Sequence, residues 1–184
     1  MTILGALMGF LLLSGSTIAL PAYAAAPTLP GYAVTLTAYN AVPAQTDDSP
    51  LETASGAYSN SEVVAARSGN LASALPFGTV IEFDGLNISS GNTCGYGVVA
   101  PRIGYRVIAD TMNARYTDRI DILFDTKANY PTTDRGMKNA ADMLGICKGV
   151  IIRVVGHIAI NRIPKTQVEL AAIIGGNAGA LALK

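Results

Sequence analysis

The residues of this chain best suited to chemistry are two aspartates, Asp110 and Asp121, which lie eleven positions apart. Two carboxylates that are close together and partly shielded from water cannot both ionise easily, so the pKa of one of them rises. A carboxylic acid with a raised pKa can protonate the leaving oxygen of a glycosidic bond. From spacing alone a simpler interpretation stays open, in which Asp110 accepts backbone N–H bonds of a loop and Asp121 pairs with Arg119 or Arg115.

Other kinds of site have little support in the sequence. There is no Gly-x-Ser-x-Gly elbow and no Walker loop, and the single histidine, His157, lies at the end of the last predicted strand, which favours a packed or edge position. A zinc site needs about four ligands, and neither cysteine has a histidine neighbour, so we expect no metal and no cofactor. A net charge of zero with 14% charged residues excludes an electrostatic nucleic-acid binder.

The N-terminal segment has the pattern of an export signal. The apolar run Ile3 to Leu13 precedes the small-x-small site Ala22-Tyr23-Ala24, which predicts a signal peptide over residues 1–24 and a linker over 25–31. A membrane anchor is the alternative, but the apolar run is shorter than the roughly 20 residues that a membrane-spanning helix needs. The sequence therefore predicts an exported protein, periplasmic or extracellular, with no stable membrane anchor after cleavage.

The two cysteines, Cys94 and Cys147, agree with export. Two thiols in an oxidising compartment can pair. A bridge between them would close a loop of about 50 residues and stabilise the fold by roughly 4 kcal/mol. Two buried free thiols are the alternative that the sequence leaves open.

Alternation of apolar and polar residues predicts a mainly β fold over residues 32–160. One helix is predicted over Thr132 to Leu144, with Thr132 or Thr133 as its cap and Gly145 as its stop. A closed barrel is the economical way to hide the edges of short strands. Residues 161–184 are rich in Ala, Gly and Leu and read as a short helix or a loose tail. The six predicted strands are Tyr32–Tyr39, Val63–Ala66, Thr79–Phe83, Tyr105–Ala109, Arg119–Phe124 and Val150–Gly156.

The order of several short motifs resembles the three-aspartate (3D) domain family of bacterial cell-wall enzymes. The match covers roughly Val34 to Val155. Its most specific part is Asp110-Thr111 followed by Arg119-Ile120-Asp121-Ile122, which has the family's spacing of eleven between the aspartates. Further matches, in order, are Thr37-Ala38-Tyr39-Asn40, Gln45-Thr46-Asp47, Thr53-Ala54-Ser55-Gly56 and Pro76-Phe77-Gly78-Thr79.

The resemblance implies a fold and an activity. It implies a six-stranded double-psi β-barrel and a substrate made of peptidoglycan glycan strands. In lytic transglycosylases of the membrane-bound lytic transglycosylase A type, one aspartate acts as acid and then as base, and the product is a 1,6-anhydro sugar. By this resemblance Asp121 is the acid/base and Asp110 its partner. Tyr39, Thr53, Asp47 and Arg119 are the expected substrate-binding residues.

The chain departs from the family pattern at two places. Met112-Asn113 replaces the glycines after Asp-Thr, and Tyr116 or Thr117 replaces a later one. Because glycine lets a ligand approach the backbone closely, bulkier residues could narrow the groove. The family's third aspartate corresponds to Asn70, which cannot ionise. Three functions therefore stay open: a lytic transglycosylase, a wall-polysaccharide-binding module that does not cut, and a structural or protein-interaction domain.

Overall fold

The chain folds around a closed barrel. The structure, a computed structural model, describes residues 31–86, 93–134 and 136–181. The predicted signal peptide, 1–24, and the linker up to residue 30 lie outside the described residues. The helices in the described residues are α1 (Tyr96–Val99), α2 (Ala140–Leu144) and α3 (Gln167–Leu181). The strands there are β1 (Gly31–Asn40), β2 (Val64–Arg67), β3 (Thr79–Leu86), β4 (Arg106–Thr111), β5 (Arg119–Phe124), β6 (Asn129–Thr132), β7 (Gly136–Asn139) and β8 (Cys147–His157).

Six of these strands close the barrel in the order β1-β5-β2-β4-β3-β8, and β8 pairs back with β1. The pairs β1–β5 and β2–β4 are parallel, whereas the other neighbours are antiparallel. Closure leaves no long unpaired edge. The predicted mainly β fold with a six-stranded barrel is confirmed, and the mixed topology is compatible with a double-psi barrel.

The connection between β4 and β5 crosses over a third strand. These two strands are consecutive along the chain, but β2 lies between them in the barrel. Residues 112–118, which we call the crossover, therefore span the end of β2, where the Met112 N–H donates to the Arg67 carbonyl at 2.9 Å. In the structure β2 separates the strands that carry the two aspartates and forms the surface between them.

Alternation along the strands, interrupted by a few bulges, directs side chains to the two faces of the barrel wall. The inner cluster takes buried side chains from all six strands, including Ile120 and Ile122 of β5. Each fully buried side chain of this kind contributes roughly 2 kcal/mol. The outer cluster is partly covered by α3, through Leu170 and Ile174. Because Asp121 stands between Ile120 and Ile122, it points outwards from the barrel.

The predicted helix over Thr132 to Leu144 is wrong along most of its length. Its first part is a hairpin of β6 and β7, in which Pro131 pairs with Met137. Only Ala140–Leu144 is helical, and its cap is Asn139, whose side chain accepts the Ala141 N–H. The apolar residues that suggested one long helical face lie partly on a strand, and Met137 is exposed. Two further helices are present among the described residues: α1, and α3 within the segment 161–184, for which a short helix or a loose tail was expected.

Cys94 and Cys147 form a disulfide, with Cα atoms 5.3 Å apart. The bridge joins the segment before α1 to the first residue of β8. Beside it the Gly95 N–H donates to the Leu144 carbonyl at 3.0 Å, at the end of α2. A Cβ added to Gly95 would lie 2.0 Å from the Met143 carbonyl oxygen, so this close approach requires glycine. The bridge therefore holds the segment around α1 against α2 and the barrel.

No helix among the described residues is long and apolar enough to cross a membrane.

Candidate functional site

The barrel register places the two aspartates on either side of one small residue. Ala66 of β2 is the partner of Asp121 on β5 and also the partner of Asp110 on β4. On the far side of β5, Thr37 of β1 is the partner of Asp121. Residues in register on neighbouring strands point to the same face, so these four side chains form one row on the outer face. The Cα atoms of the two aspartates are two strand spacings apart, about 10 Å.

A β-bulge in β4 puts Asp110 on that face. Ala65 of β2 pairs with Ile108, but the next residue, Ala66, pairs with Asp110, so Ala109 is the extra residue. In a regular ladder Asp110 would point to the same side as Ile108, into the barrel. The bulge also frees the Ala109 carbonyl, which accepts the Ser55 N–H at 3.1 Å. Both the direction of Asp110 and the docking of the loop before β2 therefore depend on one inserted residue.

Asp110 is held by three donors. Its Oδ1 accepts the backbone N–H of Ala54 at 2.9 Å and that of Thr111 at 2.8 Å. Its Oδ2 accepts the Tyr39 hydroxyl at 2.9 Å. Burial, followed by the charge of Asp110 and this hydrogen bond, raises the pKa of Tyr39 well above its ordinary value, so the phenol stays a donor. Three donors suit a carboxylate, which only accepts. Asp110 thus does accept backbone N–H bonds, as the simpler interpretation expected.

Asp121 has a different environment. Its Oδ1 accepts the Thr37 hydroxyl at 2.8 Å, and no donor among the described residues reaches its Oδ2. Burial raises the pKa of Asp121 to about 6, and the charge of Asp110 acts in the same direction. The Thr37 hydrogen bond and the charge of Arg119 oppose this rise. A carboxyl group with a pKa of about 6 can both release and take up a proton near neutral pH.

The alternative pairing of Asp121 with an arginine is not formed. Among the described residues the ion pairs are those of Arg153 with Glu82 and Asp84. Arg119 is close enough for its charge to act on Asp121, but its guanidinium packs against the Tyr116 ring, 4.4 Å from Cζ to the ring centroid. Asp121 is therefore a partly buried acid without a salt-bridge partner in the described chain.

The aspartate pair lies in an open groove of about 880 Å³. The groove runs between the outer face of the barrel and the loop of residues 41–62, and its volume is within the range of small-molecule sites. Within the described chain, five carboxylates line it, but only one basic side chain does, that of Arg115. The acidic residues are Asp47, Glu52, Asp110, Asp121 and Asp142.

The predicted substrate-binding residues have unequal positions. Tyr39, Thr53 and Asp47 line the groove, whereas Arg119 lies behind Tyr116 and does not. Thr53 is buried, and its hydroxyl accepts the Ala57 N–H at 3.1 Å, so it shapes the turn that presents the Ala54 N–H to Asp110. Asp47 accepts the Ser49 N–H at 2.8 Å, which is a turn contact at the groove rim. His157, at the end of β8, is exposed and bonded to the Phe77 carbonyl.

Asn70, which takes the place of the third aspartate in the pattern that the sequence resembles, contacts the crossover. Its Nδ2 donates to the Asp118 carboxylate at 2.7 Å, and its Oδ1 accepts the Asp118 N–H at 3.1 Å. A carboxylate at position 70 could accept but not donate, and it would repel Asp118. The amide therefore fixes Asp118, which has a φ of 50° and ends the crossover just before β5.

Sequence reasoning missed three contributors to the site, namely Thr37, Ala54 and Ala66. Thr37 belongs to the motif Thr37-Ala38-Tyr39-Asn40, and a threonine in a predicted strand could have been recognised as a hydrogen-bond donor to the site. Ala54 contributes a backbone N–H and Ala66 contributes small size, and neither leaves a chemical signature in the sequence.

In the described residues no group of three or more His, Cys, Asp or Glu side chains is arranged to hold a metal ion. Comparisons of the chain with protein-family models, with curated proteins and with solved structures found no match.

Proposed function

We propose that this protein is a lytic transglycosylase that cleaves the MurNAc–GlcNAc bond of peptidoglycan with Asp121 as its acid/base. The observation that carries the proposal is the contrast within the pair. Asp121 is partly buried, its Oδ2 has no donor among the described residues and its pKa is about 6, whereas Asp110 is held by three donors. Two carboxyl groups in such different environments take different roles, as glycosidic-bond cleavage requires.

In this mechanism a single carboxyl group moves the proton twice. Asp121 in its protonated form gives its proton from Oδ2 to the bridging oxygen, while Thr37 holds Oδ1. The bond between C1 of the muramic acid and that oxygen breaks, and GlcNAc leaves with the proton as a hydroxyl group. The resulting Asp121 carboxylate then takes the proton of the C6 hydroxyl of the muramic acid, whose oxygen bonds to C1 and closes the 1,6-anhydro ring. The charge of Asp110, on the same outer face of the barrel, stabilises the positive charge that develops on the sugar ring. The reaction needs no metal and no other cofactor.

Two further observations support a role in the cell wall. The groove is open, so a long polymer can lie along it without threading. The Cys94–Cys147 disulfide agrees with an exported protein, periplasmic or extracellular, as the signal-like segment 1–24 suggests. We also propose that the barrel is a diverged three-aspartate domain of double-psi topology. The mixture of parallel and antiparallel strand pairs supports this assignment, as does the crossover, residues 112–118, which passes over the end of β2.

A polysaccharide-binding module without catalysis is the second candidate. The observation that favours it is that Met112 and Tyr116, at positions where the family pattern has glycine, line the groove. Larger side chains there reduce the space in which a sugar ring can distort towards the transition state. In this alternative the same groove holds peptidoglycan glycan strands, and Asp121 accepts hydrogen bonds from sugar hydroxyls.

The deciding experiment is digestion of purified peptidoglycan, with mass spectrometry for 1,6-anhydromuropeptides. We expect the native protein to release them and Asp121→Asn to release none. The matched control is Asp134→Asn, which makes the same change at an exposed position outside the groove. Release that survives in Asp121→Asn would sink the mechanism. Binding of glycan without release by the native protein would favour the module.

A further inference from the structure

The crossover carries a group of side chains that the proposed proton transfers do not use. Arg115, Tyr116 and Arg119 form what we call the arginine–tyrosine cluster. The Cζ of Arg115 lies 4.8 Å from the Tyr116 ring centroid, and that of Arg119 lies 4.4 Å from it. The Arg115 Nη2 also donates to the Tyr116 hydroxyl at 2.8 Å. Because both guanidinium groups pack on one ring, the cluster offers a ligand charge rather than a face for stacking.

Arg115 is the member of the cluster that faces the groove. It is exposed and lines the same groove as Asp110 and Asp121. Its backbone is fixed by Asn113, whose Oδ1 accepts the Arg115 N–H at 3.1 Å and whose carbonyl accepts the Tyr116 N–H at 3.0 Å. The turn and the ring therefore hold the guanidinium in place before any ligand binds, which lowers the entropy lost on binding.

Most of the donors of Arg115 are unused. A guanidinium has five N–H donors in a planar fork that matches a carboxylate. In the described chain Arg115 makes one side-chain hydrogen bond, to Tyr116, and no ion pair, although five carboxylates line the groove. A cation that is held in place and left unpaired in an acidic groove is suited to an anionic group on an otherwise neutral ligand.

We propose that Arg115 binds a carboxylate of the glycan and thereby makes the groove selective for saccharides that carry one. This inference rests on the proposed function for the identity of the glycan. One guanidinium offsets one negative charge, while the five acids repel a polyanion, so the ligand is a chain of mostly neutral sugars with isolated carboxylates. In peptidoglycan this group is the lactyl carboxylate of peptide-free muramic acid or a carboxylate of the peptide stem.

The test is a binding series in the full-length Asp121→Asn protein, which prevents turnover. The ligands are MurNAc–GlcNAc oligosaccharides with a free lactyl carboxylate, with the lactyl group as its methylamide, and with a peptide stem. We expect a free carboxylate to tighten binding roughly tenfold over the methylamide. Arg115→Met, added to Asp121→Asn, should abolish this preference. Arg162→Met removes an exposed arginine outside the groove and should preserve it.

Further variants separate recognition from folding. Arg115→Lys keeps the charge without the planar fork and should keep part of the preference, and Tyr116→Phe, which removes the hydroxyl that holds Arg115, should weaken it. A preference for the peptide-bearing ligand alone would assign the carboxylate to the stem and support the proposal equally. Equal binding of all three ligands, or no binding of any, would overturn it.

Failure of this inference differs from failure of the proposed function. Carboxylate-selective binding in Asp121→Asn, with no 1,6-anhydro products from the native protein, would overturn the transglycosylase and leave the selectivity of Arg115 standing. Release of 1,6-anhydro products by the native protein, with no preference among the three ligands, would overturn the selectivity and leave the transglycosylase.

Discussion

Asp110 and Asp121 carry the same functional group in contrasting surroundings. Asp110 accepts hydrogen bonds from two backbone N–H groups and a buried phenol, whereas Asp121 has one donor in the part of the chain that the structure describes, the Thr37 hydroxyl. The difference comes from backbone as much as from side chains, since the loop before β2 provides the Ala54 N–H. An acid whose charged form is poorly stabilised by the protein is useful for proton transfer, but it costs stability.

That cost gives a prediction for Asp121→Asn. The pKa of Asp121 rises from 3.8 to about 6 on folding, so between these values the folded protein binds more protons than the unfolded chain. The free energy of unfolding should therefore fall as the pH rises from about 4 to about 6, by about 1 to 3 kcal/mol after discounting for partial exposure. Asp121→Asn should lack this fall and be the more stable protein at pH 7.

Urea unfolding at several pH values between 4 and 8 checks this, with Asp134→Asn as the control. The control should follow the native profile. Parallel profiles for all three proteins would mean that Asp121 ionises as freely in the folded state as in the unfolded chain.

Tyr39 provides a second prediction at the residue scale. Its side chain is 8% exposed, and its hydroxyl is the donor for Oδ2 of Asp110. Tyr39→Phe leaves that oxygen without this donor and should lower the free energy of unfolding by about 2 kcal/mol, the usual size for a hydrogen bond to a charged group. Urea unfolding measures the loss. Tyr58→Phe, at a tyrosine that is 67% exposed, is the control, and equal stability of the two variants would contradict the role given to Tyr39.

At the scale of elements, β2 is the strand around which the site is built. It is four residues long and fully buried, and it pairs with β4 on one side and β5 on the other. Its Ala66 is the only residue that separates the two aspartates across the sheet. A small side chain there leaves room for a ligand between the carboxylates, and the bulge at Ala109 turns Asp110 towards the same space.

Ala66→Val should therefore block the site with only a modest loss of stability. The two added methyl groups point into the groove between the carboxylates, so glycan binding should weaken at least tenfold, while overpacking costs about 1 to 3 kcal/mol. Affinity for peptidoglycan fragments and urea unfolding together check this. Ala33→Val makes the same change at an exposed position of β1 and should bind normally. Normal binding by a folded Ala66→Val protein would show that the ligand does not lie over β2.

At the scale of the whole molecule, the Cys94–Cys147 bridge closes a loop with a sequence separation of 53. Chain entropy gives it a stabilisation of about 4 kcal/mol. Cys94→Ala/Cys147→Ala should lose about this much in guanidinium unfolding, and a reductant should then have no further effect. The bridge joins the segment before α1 to β8, and neither cysteine lines the groove. Cleavage of peptidoglycan by the folded double variant should therefore persist. A variant as stable as the native protein would refute the stabilising role.

Features of the fold and the site that depend on neighbouring residues could be predicted from the sequence, whereas those that depend on distant contacts could not. The strand predicted over Arg119 to Phe124 has the bounds of β5, and the outward direction of Asp121 follows from its place between Ile120 and Ile122 once the barrel is known. The helix predicted over 132–144 was wrong because short strands and short helices contain apolar runs of similar length. Only the structure shows that Gly136, with a φ of 72°, follows a turn. The strand order could not be read from the sequence, since the Thr37–Asp121 hydrogen bond joins residues 84 positions apart. The bulge at Ala109 had no signal at all.

The parallel pairing of β1 with β5 also determines the stage of folding at which the site is formed. β1 is the first strand of the barrel and finds its partners at residues 119–124 and 147–153, so almost the whole chain must be present before the wall closes. Folds dominated by such distant contacts fold slowly, in milliseconds to seconds. In a partly folded chain Thr37 and Asp121 are far apart, and the acid has neither its hydroxyl partner nor its buried environment. Chemistry in the groove that uses this acid can therefore begin only after the barrel has closed.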